Sequence, residues 1–419
     1  MQFLKKSVER KIDFSKETES TVTKILNDIK MEGDSAVKEY EKKFGKSDRT
    51  SLLVSDNELE EAISLLSEKE KELIETVVER VTKFAEAQIK CLLPLDQEFG
   101  PGIKMGHKII PVEKIGAYVP GGRFPLLSSG PMVTVPAKVA GAKRIVVCSP
   151  ANYKGSIHPA VLYGLKLSGA TDIYAIGGAQ AIGAMAYGTE TIPQVDVIAG
   201  PGNRFVAEAK RQVFGEVGID MIAGPSEVVV ISDEFSDSKL CASDLLAQAE
   251  HDPNARAILI STSKQQAEET LKQVKGILGN LSGKSPAHEA WEKMGEVIVA
   301  ENLEETVDIS NDIAGEHLHL HLKNSKEIEN NFHNYGSLFI NENSSVVFSD
   351  KVSGTNHTLP TNRAGRYTGG LWVGNYLKIL TYQEISGKGI EYLASHATKQ
   401  SEIEGLEGHR LSAALRLEK

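Results

Sequence analysis

The chain has 419 residues, 41% of them hydrophobic and 25% charged, with a net charge of −10 at pH 7. That length leaves room for two or three domains around more than one core, while the acidic balance argues against a nucleic-acid partner. Cys91, Cys148 and Cys241 lie far apart and no run approaches the ~20 apolar residues that span a bilayer, so the expected home is a reducing cytoplasm, without disulfides or a membrane role.

Residues 1 to about 90 read as mostly helical. Thr21 to Phe44 carries Val22, Ile25, Leu26 and Ile29 on one stripe with charges opposite, and Gly45 suits a C-cap. Glu58 to Ile89 continues in that style. Lys108–Val112 and Ile115–Val119 read as short strands, followed by the turn Pro120-Gly121-Gly122-Arg123. From residue 143 to 199 the pattern alternates regularly: strand Arg144–Cys148, helix His158–Leu167, strand Asp172–Ile176, helix Ala179–Tyr187, strand Val195–Ala199. That is a half-Rossmann unit. Gly177-Gly178-Ala179-Gln180 lacks the G-x-G-x-x-G spacing, yet a helix start after two glycines can accept a phosphate.

Val228–Ser232 is a β-branched run typical of a buried strand, and a helix from about Lys239 to Glu250 follows the capping cluster Ser236-Asp237-Ser238. Pro253 ends it, because the residue before a proline disfavours helical geometry. Gln248 and His251, three residues apart, share one face of the last turn. Such a pair can hold a metal if other ligands arrive from elsewhere, or can simply be solvated. Ala257–Ser261 is the next strand, Lys264–Leu278 and Ser285–Lys293 read as helices, and Val297–Ala300 as a strand. In Glu316-His317-Leu318-His319-Leu320-His321, the Glu–His pair is suited to acid–base work, and the three histidines alternate onto one strand face. Ser337–Ile340 and Ser345–Phe348 read as strands, a loop begins at Ser349-Asp350, and the tail from about Tyr376 reads as an amphipathic helix.

Asp220, Ala223-Gly224-Pro225-Ser226-Glu227 and Gln248-Ala249-Glu250-His251 together resemble the signature of the histidinol dehydrogenase family, and the likeness extends over about residues 20 to 415. The resemblance implies an α/β fold of two incomplete Rossmann-like, doubly wound parallel-sheet domains with small helical extensions. Residues 24–116 with 228–371 would form the metal side, 117–227 the NAD side, 1–23 an N-terminal extension and 372–419 a tail. Tyr118, Gln180 and Asn203 match positions that contact NAD. Gln248, His251, Asp350 and His409 match the ligands of one zinc ion per subunit, a donor set that suits zinc. Glu316 and His317 match the catalytic pair. Ser226 and Glu404 match substrate contacts, as do Gln248, His251, His317, Asp350 and His409. The tail would cross a homodimer into the neighbouring site. The reaction implied is a four-electron oxidation of a primary alcohol to a carboxylate, using two NAD molecules in turn.

One block departs from the family pattern. Where histidinol-oxidising members usually carry small residues after Leu359-Pro360-Thr361, this chain has Arg363 and Arg366, with Arg123 a further candidate. Arginines suit a carboxylate, sulfonate or phosphate. The block resembles the branch that oxidises 2,3-dihydroxypropane-1-sulfonate to sulfolactate, so an anionic diol is slightly favoured over histidinol as the expected substrate.

Overall fold

The computed structural model describes residues 1–8, 16–121 and 125–418. Arg123, singled out above, lies outside them. The described chain is built on two mainly parallel sheets and an antiparallel ribbon. One sheet has six strands, in the order Gln2–Lys5, Glu296–Val299, Arg256–Ser261, Glu227–Ser232, His317–Leu320, Ser337–Ile340, all parallel except the first. The other has five parallel strands, ordered Asp172–Tyr174, Arg144–Cys148, Lys114–Tyr118, Val197–Ala199, Gly218–Ile219. The ribbon joins Leu377–Ile385, Ile103–Pro111 and Leu95–Gly100. Two parallel sheets were the expectation, and every residue of Glu227–Ser232 is buried, as a strand covered on both faces requires.

The helix Ser238–Ala249 shows how local chemistry sets an element. The Asp237 carboxylate accepts from Lys239 N at 2.7 Å and Leu240 N at 3.1 Å, capping the first turn. Cys241, Leu245 and Ala249 lock it into the core over Val228 and Val230.

Several expectations are corrected. The N-terminal helices Lys16–Glu32 and Asp34–Tyr40 bury Val22, Ile25, Leu26 and Ile29 against Ile182 and Met185, and so cover the five-stranded sheet. Helix Glu68–Ile89 likewise packs Val77, Val81 and Ala85 on Met132 and Val135. Residues 24–89 therefore pack mainly with the segment expected to form the NAD side, and touch 228–371 at its loop, where Gly354 meets Arg80 and Leu371 joins Leu59 and Ile89. Their stripe specified that a partner was needed, but not which sheet would supply it. Residues 2–5 of the N-terminal extension form a strand. Ser345–Phe348, read as a strand, is the start of helix Val346–Lys351, because Ser345 caps it through Val347 N. Asp350 thus sits on a helix and not in a loop. The tail opens with the ribbon strand Leu377–Ile385, and its helices Lys388–Glu404 and Glu407–Ala414 come after.

Candidate active site

A cleft of ≈620 Å³ runs between the two parallel sheets and is lined from both sides. The five-stranded sheet offers the carboxyl ends of its strands: Tyr118, the Gly177-Gly178 turn with Gln180, and Gly202-Asn203 all line it. The six-stranded sheet presents the opposite edge. Ser226, Glu316 and His317 stand at the start of their strands, beside the C-terminal end of helix Ser238–Ala249. A helix C-terminus carries partial negative charge, which favours a cation there.

On that side the His251 Nε2 lies 3.3 Å from Asp350 Oδ2. Neighbouring donors on a tetrahedral zinc with bonds of about 2.0–2.1 Å lie about 3.3 Å apart, so this pair fits a shared metal. Gln248 is buried and lines the same cleft. Burial works against the charge of Asp350, but the imidazoles of His251, His357 and His317 hold its carboxyl down at about 2. His357 Nε2 is 3.0 Å from Ser128 Oγ, whose hydroxyl donates to Asp350 O at 2.6 Å, so the short helix bearing Asp350 is fixed from behind.

His317 is organised for proton transfer. Glu227 O can only accept, so His317 Nδ1, 2.9 Å away, carries the ring proton. That leaves Nε2 as the basic atom, buried with no partner among the described residues. Burial lowers the His317 pKa to about 4, against the opposing pull of Asp350. Glu316 Oε2 accepts from Glu227 N at 2.8 Å, so both members of the predicted pair are oriented by one backbone residue. The loop above is pinned by Thr361 Oγ1, which accepts from Gly224 N at 2.6 Å; a Cβ on Gly224 would stand 2.4 Å from Asn362 Nδ2.

On the side expected to hold NAD, the structure brings Tyr118 and Gln180 together at one turn: Gly178 N donates to Tyr118 Oη at 3.1 Å. The helix start read as a phosphate seat already holds one carboxylate at its N-cap. The Glu41 carboxylate accepts from Gly177 N at 2.9 Å and from Gln180 Nε2 at 2.8 Å. Burial raises the Glu41 pKa. No sequence signal marks Glu41, which lies in a charged helical stretch and reaches this turn only through the fold. Asn203 caps its own helix, accepting from Phe205 N at 3.0 Å and Val206 N at 3.2 Å. Behind it Lys210 and Asp220 form a buried ion pair, and both hold Gly200: Lys210 Nζ donates to its carbonyl at 3.0 Å and Gly200 N to Asp220 at 2.8 Å. Gly200 has φ 120°, and a Cβ there would stand 2.1 Å from Tyr118 O.

Other predicted residues fall outside this cleft. Glu404 and His409 are exposed, on helices Lys388–Glu404 and Glu407–Ala414 respectively, and do not line it. Arg363 and Arg366 are exposed too. The first pairs with Asp312 at 2.7 Å and the second donates to Arg363 O at 3.0 Å. Their expected place beside the substrate is therefore not where the fold puts them.

The histidinol dehydrogenase family profile matches residues 8–417. Histidinol dehydrogenase homolog 1 of Mesorhizobium japonicum is 43% identical over 95% of this chain and 80% of its own length. The sulfopropanediol 3-dehydrogenase of Ruegeria pomeroyi is 39% identical over 100% of this chain and 97% of its own. The crystal structure of histidinol dehydrogenase from Elizabethkingia anophelis superposes with TM-score 0.93 at 37% identity, covering 98% of this chain and 94% of that one. A likeness this complete, in sequence and in fold, places the protein among NAD-dependent oxidoreductases acting on CH–OH groups. It belongs to the histidinol dehydrogenase family.

Proposed function

We propose that the protein oxidises a small primary alcohol to the carboxylate in two NAD-linked steps through a bound aldehyde. The observation that carries this reading is His317, an imidazole with its basic nitrogen bare and buried in the cleft that the His251–Asp350 pair also lines. Gln248, His251 and Asp350 of one subunit, with His409 from a second, would hold zinc, which would supply a fixed positive charge to orient the substrate. Tyr118, Gln180 and Asn203 would position the nicotinamide cofactor.

His317 Nε2 would take the hydroxyl proton, with NAD, when bound, supplying the hydride acceptor, and the Nδ1–H bond to Glu227 O holds the ring in that tautomer. Glu316 then draws a proton from water attacking the aldehyde. Loss of the hydride from the hydrated aldehyde, for which a second NAD would be the acceptor, would leave the carboxylic acid. The two-sided cleft keeps the aldehyde from amines in solution. Ser226 lies within reach of this space, and Glu404 and His409 complete it from a partner tail.

Arg363 is engaged by Asp312 at the surface, which weakens one ground for an anionic diol. Asp252 and Glu316 line the cleft beside the metal pair, as does Lys351, and the two carboxylates suit an amino alcohol such as histidinol. The test is NADH formation with histidinol and with 2,3-dihydroxypropane-1-sulfonate side by side. NADH from histidinol, lost on chelation, is the expected result. Turnover of the sulfonate alone would reverse the substrate assignment, and no NADH from any primary alcohol would end the reading.

A further inference from the structure

One step further from the cleft along both helix and strand, a second set of ligating atoms converges. Asp244 lies one turn before Gln248 on helix Ser238–Ala249, and His319 lies two residues past His317 on the same strand face. With His321 they bring three ligating atoms within 4.8 Å of one another, all on buried residues. Asp244 Oδ2 is 3.2 Å from His319 Nδ1 and 2.9 Å from His321 Nε2, and those two nitrogens are 3.3 Å apart. Neighbouring donors on a tetrahedral zinc are about 3.3 Å apart, so the triangle already has the dimensions of one face of such a site.

The protons point the same way. Asn341 O can only accept, so His319 Nε2, 2.9 Å away, carries the proton of the neutral ring. His319 Nδ1 then turns a lone pair towards a carboxylate oxygen, a contact that a cation would convert from repulsion to shared ligation. Two of the three have outer contacts of the kind that orient metal ligands: the His319 N–H is held by a backbone carbonyl, and the second Asp244 oxygen accepts from the Ser345 hydroxyl at 2.8 Å, whereas His321 Nδ1 is buried with no partner among the described residues.

We propose that Asp244, His319 and His321 hold a second divalent cation, zinc by the chemistry of two imidazoles and a carboxylate. None of the three lines the cleft, so the site is separate from the one at His251 and Asp350 and does not rest on the dehydrogenase reading. Its position makes it a clamp. It ties the helix to the strand one turn from Gln248 and one side-chain step from His317, keeping these two active-site residues in register.

Crystals of the wild-type protein grown with zinc, measured above and below the zinc edge, test this directly. An anomalous peak bonded to Asp244, His319 and His321 is expected. A peak at His251 and Asp350 alone, or none anywhere, overturns the proposal. In solution, metal analysis after desalting is expected to give about two zinc per subunit for the wild type and about one for the double variant His319→Gln, His321→Gln. Equal content in the two overturns it as well. If the variant does not fold, the wild-type maps decide alone.

Discussion

His317 carries two predictions at the scale of a single side chain. Removing a positioned base costs about 10²–10⁴ in rate, so His317→Gln is expected to lose that much kcat with the secondary structure unchanged by circular dichroism. The second concerns pH. In the folded protein burial holds the imidazole near pKa 4, whereas the unfolded chain titrates near 6.5. As pH falls below 6.5 the unfolded state binds a proton that the folded state refuses, so stability is lost progressively down to pH 4. The loss contributed by this residue is about 3 kcal/mol at most. Across that window the melting temperature of the metal-free wild type should fall further than that of His317→Gln; parallel curves would refute the assignment. Sequence made Glu316, His317 and His251 legible because motif and helix spacing mark them. Glu41 and Asp244 were not legible, since their partners lie at Gly177 and His321. Contacts at that separation leave no local pattern. The same blindness misplaced Arg363, whose partner Asp312 looks like any surface acid.

Elements were readable where a single environment fixed them. The strands of both parallel sheets are apolar because both faces are covered. Val346-Val347-Phe348 misled for the opposite reason. Its β-branched residues suggest a strand, but a Ser345 cap and the burial of Val346 against the helix Ser238–Ala249 decide for a helix. The ribbon strand Leu377–Ile385 was missed because it is largely exposed and lacks a clean alternation. The loop Gly200-Pro201-Gly202-Asn203 draws its shape from a neighbouring element, through Lys210 and Asp220. Lys210→Met leaves that carboxylate buried without its cation, which costs about 3–5 kcal/mol. A chemical-denaturation midpoint within error of wild type would show that the pair does not hold this loop.

At the scale of the whole molecule, the tail stands out. Ile403 is 88% exposed, and Leu411 on the adjoining helix and Leu415 just past its end are about half exposed. An apolar surface of this kind beside two predicted site residues, Glu404 and His409, fits a tail that docks on a second subunit. Mixing inactive His317→Ala and His409→Ala proteins by joint refolding tests the crossing. If each tail serves its neighbour, half of the dimers are mixed and one of their two sites is intact, so activity returns to about a quarter of wild type. No recovery means that each tail serves its own subunit. The overall α/β architecture was readable from the alternation of strand and helix. The assignment of the N-terminal helices to a sheet was not, because an apolar stripe fits either one.

The antiparallel strand at the rim of the larger sheet has a consequence for biosynthesis. Phe3 pairs with Ile298, so the residues that close this edge leave the ribosome long before their partner does. Until then they must wait unpaired. Any change that delays or removes them leaves a hydrogen-bonding rim open to another chain, and the sheet becomes a template for aggregation.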